Sequence, residues 1–212
     1  METNHHLFCR SVSSTGITVS AFQVIQHSFR FDCRQCGNCC TGDQQVWLTP
    51  DDLRRMALFL RYAHTRLLFE NHYVKWGRGE HGARRPIMRF KSLKKFRFCP
   101  FLINDLEEDG TPKGLCRLHP YHKPLICRLA PVGRVWHADS ERSEWLFVKP
   151  APDCPGVESP VLQELATWTA PVKHSLSEEE HYLRQLNQLI ARGAPDKAYE
   201  KLCLFAVTSE PD

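Results

Sequence analysis

Residues 33–40 read CRQCGNCC, four cysteines in eight positions, with two residues between the first three and none between the last two. No packing rule asks for four thiols in so short a stretch. Two-residue spacing turns both sulfurs of a pair toward one centre, and Gly37 eases the tight turn that this needs. Buried thiolates carry negative charge and demand a cation beside them. Disulfides are the competing use of cysteine, but they belong to oxidising compartments. The N-terminal stretch METNHHLFCRSVSSTG lacks the apolar run of a secretory leader, and no eighteen-residue apolar run suggests a membrane span. A cytoplasmic location is therefore expected, with no membrane partner. There, clustered cysteines favour metal over disulfides.

The chain holds ten cysteines. Cys99, Cys116, Cys127 and Cys154 join Cys33, Cys36, Cys39 and Cys40 as eight candidate metal ligands. Cys203 sits in YEKLCLFAV, an apolar helical pattern, where a core thiol is expected. Cys9 lies in the polar N-terminal stretch and receives no role. Metal binding is worth ~10–16 kcal/mol and counts as folding energy. Closing the 58 residues between Cys40 and Cys99 costs only ~4 kcal/mol. A strong site can thus recruit distant ligands.

The pattern C-x2-C-x2-C matches the first three ligands of a bacterial [4Fe–4S] centre, with the fourth drawn from elsewhere. Zinc would also use these thiols, as two sites of four cysteines each. Iron–sulfur cluster and Zn2+ both stay open on spacing alone. Adjacent side chains tend to point apart, so Cys39 and Cys40 are expected to serve different centres, or different atoms of one polynuclear centre. The spacing is not the C-x3-C-x2-C associated with radical cleavage of S-adenosylmethionine. No glycine-rich nucleotide loop is present, and no Ser/His/Asp order or single marked thiol suggests a nucleophilic enzyme.

The remaining sequence frames this cluster. Residues 17–31 mix β-branched and aromatic residues and predict a strand. Thr49 predicts an N-cap, Pro50 a first helical residue, and Asp51 and Asp52 favour the positive helix end. Leu53, Met56, Ala57 and Leu60 then recur at helical spacing. A second helix is expected over 65–76, a hairpin about Asp109-Gly110 over 98–118, and another over 132–150. The C-terminal part reads as helices over 160–169, 178–192 behind a Ser177 cap, and 195–206. Residues 1–16, with His5-His6, read as a flexible tail. Residues 17–157 read as a cysteine-cluster metal-binding domain, and 158–212 as a helical extension. The fold class is α+β: a small, irregular, metal-stapled core with short antiparallel strands and helices.

Charge is mild overall, at +4, but uneven. Residues 75–98 carry nine Lys/Arg against Glu80 alone. Such a segment suits an acidic protein or nucleic acid, or simply a solvated strand edge.

The segments FDCRQCGNCC (31–40), VWLTPDD (46–52), CPFL (99–102), GLCRLHPYHKPLICRLAP (114–131) and CPG (154–156) run in one order across most of this region. Together they resemble the CxxCxxCC, or YkgJ-like, cysteine-cluster family of zinc- or iron-chelating proteins. The resemblance implies a metal centre, and many members are described as iron–sulfur proteins. Flagellin lysine N-methylase is similar through the same cysteines, so the resemblance also implies protein lysine methylation as one activity. Two positions depart from the family pattern. Lys123-Pro124 stands where Arg-Pro is usual, and His119 where a tyrosine is common. Arg34, Arg117 and Arg128 each follow a cysteine, where a guanidinium could donate to sulfur.

Overall fold

The computed structural model describes residues 23–137 and 140–208. The tail over 1–16, with Cys9 and His5-His6, lies outside the described residues, as does the first part of the strand expected over 17–31.

Strands β1 (Gln23–Val24) and β2 (Ser28–Arg30) take up the rest of that expected strand, as two short pieces rather than one. They pair with different partners: β1 with β10 (Arg142–Phe147), β2 with β11 (Leu162–Glu164). The chain then enters the cysteine loop and reaches α1 (Pro50–Phe59). This helix starts as the sequence predicts. The Thr49 hydroxyl accepts from the Asp52 N–H at 3.1 Å, and the Asp52 carboxylate accepts from the Thr49 N–H at 2.9 Å, a reciprocal cap worth about 1 kcal/mol. Leu53, Met56 and Ala57 are completely buried, as their spacing requires.

Helix α2 (Arg66–Glu70) is shorter than the span predicted. It stops at Asn71, whose side chain donates to the Leu67 carbonyl, and His72 takes a left-handed conformation. Residues 74–76 then go to β3 (Val74–Arg78), paired antiparallel with β4 (Arg84–Met88). Val74 and Trp76 suit a pleated strand better than a helix end. Two consecutive hairpins follow: β5 (Lys91–Leu93) with β6 (Phe96–Phe98), and β7 (Leu102–Leu106) with β8 (Pro112–Cys116). The second turns at Asp109-Gly110, where the Asp109 carboxylate accepts from the Thr111 N–H at 2.8 Å.

A short helix, α3 (Leu125–Leu129), precedes β9 (Val132–His137), which pairs with β10 as the hairpin expected over 132–150. The C-terminal part departs from expectation in detail. Residues 162–164 form β11, because β2 offers them a hydrogen-bonding edge, and only α4 (Leu165–Thr169) is helical there. Helix α5 (Lys173–Ala191) begins well before Ser177, which lies in its second turn and caps nothing. Val172 and Leu176 pack against Leu125 and Leu129 of α3, and that burial outweighs a serine's capping preference. Helix α6 (Asp196–Lys201) is also shorter than its predicted span.

The architecture is thus α+β, with small antiparallel strand pairs and helices. One apolar cluster joins Leu48, Leu53, Met56 and Phe101 to Tyr182, Leu183, Leu186, Tyr199 and Cys203. Cysteine-rich and C-terminal segments therefore share a core, and Cys203 is fully buried in it. Burial pushes its thiol up to about 12. Arg134 of β9 is buried against α5, bonding Glu179 at 3.0 Å and also Glu180. No helix among the described residues is long and apolar enough to cross a membrane.

Candidate metal centre

One turn draws together the last two of the four opening cysteines. Gly37 adopts φ 77°, and the 3-10 turn Asn38–Cys40 follows, closed by the Cys40 N–H donating to the Gly37 carbonyl at 2.8 Å. The left-handed value explains the glycine. The Cys39 and Cys40 sulfurs lie 4.0 Å apart. Adjacent side chains here do not diverge: the tight 3-10 turn brings them onto one side, correcting the expectation from extended chain.

Main-chain bonds bring three of the four distant cysteines to this turn. The Cys99 N–H donates to the Cys40 carbonyl at 2.8 Å. The Gly114 N–H, two residues before Cys116, donates to the Gln35 carbonyl at 2.6 Å. A Cβ on Gly114 would meet the Gly37 nitrogen at 2.6 Å, so the loop and the β7–β8 hairpin approach as closely as two glycines permit. The Asp32 N–H donates to the Gly156 carbonyl at 3.1 Å, and the Asn38 amide donates to the Asp153 carbonyl at 3.3 Å, holding Cys154 alongside. Cys127 arrives differently, on α3. The buried Asp52 carboxylate that caps α1 also accepts from the Leu125 N–H at 2.7 Å, the first residue of α3.

The described cysteines are all free thiols. Cys39, Cys40, Cys116 and Cys127 lie within electrostatic reach of Lys123, and Cys99 lies within reach of Cys39, Cys40, Cys116 and Cys127. Cys36 lies within reach of Cys154, which also senses Cys39. Cys33 is exposed at the entrance of the loop. The Cys40 thiol, bonded to Cys39 and partly buried, is held protonated, while the Cys39 thiol is pulled below its ordinary value by that bond, against burial, and by Lys123. Burial pushes Cys99 up to about 11 and drives Cys127 well above the usual thiol range. The pair at 39–40 thus gives up one proton readily and the next with difficulty.

Lys123 is the residue that sequence reasoning missed. Burial acts to lower its pKa, but Cys127, Cys116, Cys39 and Cys40 together raise it. Its signal was the departure from Arg-Pro, four residues before Cys127. The arginines expected beside sulfur are exposed or bond elsewhere, although Arg128 stays within electrostatic reach of Cys127. Arg34 pairs with Asp32 at 3.2 Å on the surface, and Arg117 is exposed. The Arg128 guanidinium donates to the Ser175 hydroxyl of α5 at 2.6 Å, and that hydroxyl donates to Asp51 at 2.8 Å. His119 is exposed.

The donors suit a soft metal: many thiols, a partly buried face and a lysine to offset their charge. Among the described residues, no three His, Cys, Asp or Glu side chains are grouped closely enough to hold a metal ion.

A family model for the CxxCxxCC domain matches residues 32–155, more than half of the chain. No curated protein matches the chain, and no solved structure does. The matched span begins just before the first cysteine of the loop and ends just after Cys154, so it holds all eight candidate ligands. The chain belongs to the CxxCxxCC family, described as a putative zinc- or iron-chelating domain.

Proposed function

We propose that the cysteine face holds a polynuclear iron–sulfur centre of the [4Fe–4S] type. One observation carries this reading: Cys39, Cys40, Cys116 and Cys127 surround Lys123, and Cys99 lies within reach of Cys39, Cys116 and Cys127, so five thiols share one neighbourhood. Five exceed the four positions of a tetrahedral zinc. Cys33, Cys36 and Cys154 complete the candidate set on the adjoining side. When bound, such a centre would supply electron transfer or Lewis acidity. Lys123 would counter the negative charge of the thiolates, and the Cys99 and Cys127 thiols, which burial raises, would release protons on loading.

Zinc has one observation in its favour. Two sulfurs bound at 2.3 Å to a tetrahedral zinc lie about 3.8 Å apart, and Cys39 and Cys40 stand 4.0 Å apart. Protein purified without oxygen decides between them. A brown protein with broad visible absorption, and iron and acid-labile sulfide in about equal amounts, supports the cluster. Colourless protein with stoichiometric zinc rejects it.

A further inference from the structure

Two hairpins flank Cys99 and carry opposite charge. The β5–β6 hairpin ends immediately before it, and β7 begins three residues after it. Every residue from Lys91 to Arg97 is exposed. Lys94 and Lys95 form its turn, Lys91 lies on its first strand, and Leu93 and Phe96 pair across the tip with 64% and 65% of their surface open. Arg97 is already paired with Asp43, and the Lys95 ammonium rests 5.7 Å from the Phe96 ring. The β7–β8 hairpin is its opposite. Asp105, Glu107, Glu108 and Asp109 crowd its turn, beside Leu106 and Ile103, which are 67% and 43% open. One of these acids, Glu107, is matched by Lys113 at 2.8 Å. Among the described residues, no ion pair joins the two hairpins within one chain.

Each hairpin thus presents what the other lacks: lysines around two apolar side chains, and acids around two more. The other arginines of the basic segment are largely committed within the chain. Arg78 and Arg84 bond Asp196, Arg84 also bonds Glu200, Arg85 lies over Trp47, and Arg89 meets His72. Among the described residues Lys91, Lys94 and Lys95 meet no carboxylate, so the β5–β6 tip carries uncompensated charge. Scattered exposed apolar residues are ordinary, but an apolar pair at a hairpin tip, ringed by one sign of charge, marks an interaction surface.

We infer that these hairpins dock a second copy of this chain, the lysine hairpin of one protomer against the acidic hairpin of the other. A two-fold arrangement makes this contact twice, because each surface finds its complement on the partner. Two hairpin tips bury little area, so the association is weak and strongly salt-dependent. The inference does not depend on which metal the cysteines hold.

Sedimentation of the full chain under reducing conditions tests it. At about 50 mM salt and about 100 µM protein, the mean mass rises above the 24.5 kDa monomer toward the dimer. The dissociation constant rises at least tenfold, roughly, on going to about 500 mM salt. Lys94→Glu/Lys95→Glu and Asp105→Lys/Glu108→Lys each abolish association when alone. Mixed in equal amounts, the two variants associate again, since both contacts are then complementary. Circular dichroism verifies that each variant is folded. A wild type that stays monomeric at low salt overturns the inference, whether or not it binds an acidic protein or an oligonucleotide. So does association that survives either charge reversal, or a mixture of folded variants that fails to associate.

Discussion

Replacing Asp52 by asparagine isolates the cost of keeping a charge beneath the metal face. Asp52 is 1% exposed, and one carboxylate serves both the start of α1 and the start of α3. Burial raises its pKa from 3.8 to about 6, against the opposing effect of the Thr49 and Leu125 N–H groups that it accepts from, while Asp51 adds to the rise. A folded-state pKa above the unfolded value means that the native protein prefers the protonated acid. Stability is then greatest below about pH 4 and declines as pH climbs through 6. Two units correspond to about 3 kcal/mol, and roughly half of that is lost between pH 5 and 8. Asp52→Asn keeps one acceptor but does not titrate. At pH 5 it is the less stable protein, by about 1–3 kcal/mol for the N–H left without an acceptor. That deficit shrinks by about 1.4 kcal/mol at pH 8. Urea unfolding followed by tryptophan fluorescence at pH 5, 6, 7 and 8 measures it. Glu179, also raised by burial to about 7, and the thiols titrate in both proteins, so they cancel in the difference. Parallel stability curves for the two proteins would refute the reasoning.

Gly114→Ala forces the β7–β8 hairpin off Gly37 and costs about 1–3 kcal/mol, with lower metal content per chain; Gly42→Ala, whose added Cβ meets nothing within 4 Å but whose φ of 75° strains an alanine, costs about 1 kcal/mol and leaves metal content unchanged. Arg134→Met strands the buried Glu179 carboxylate and lowers unfolding free energy by about 3–5 kcal/mol at neutral pH; Arg134→Met/Glu179→Leu recovers most of it in the same urea titration. Lys123→Met removes the cation among the thiols, so the pH of half-maximal metal loading, read by metal analysis across a pH series, rises by about one unit.

Local signals were readable in the sequence where a few neighbouring residues decide the outcome. Thr49, Pro50 and Asp52 set a helix start by contacts within one turn. Asp109-Gly110 set a hairpin in the same way. The lengths of α2 and α5 were not readable, because they depend on partners far along the chain. Ser177 looked like a cap only until Val172 and Leu176 found α3 to pack against. At the candidate site, the eight cysteines stood out by number and spacing, and the family match covers them. The surroundings of those thiols were hidden. That Arg128 would turn to Ser175, and Lys123 toward the sulfurs, is settled by where α5 and α3 lie, which no spacing rule encodes. Nor does spacing reveal that Asp52 reaches across 73 residues to Leu125.

Peptide groups, not side chains, join the loops of Cys40 and Cys99, of Gln35 and Gly114, and of Asp32 and Gly156. Those ties belong to every amino acid except proline as donor, so they survive when a sulfur is exchanged for another donor. Histidine in place of a single cysteine changes the chemistry offered to a guest while leaving the frame that presents it standing. A lineage built on this scaffold is free to trade one inorganic occupant for another by single substitutions, without first having to invent a new chain path.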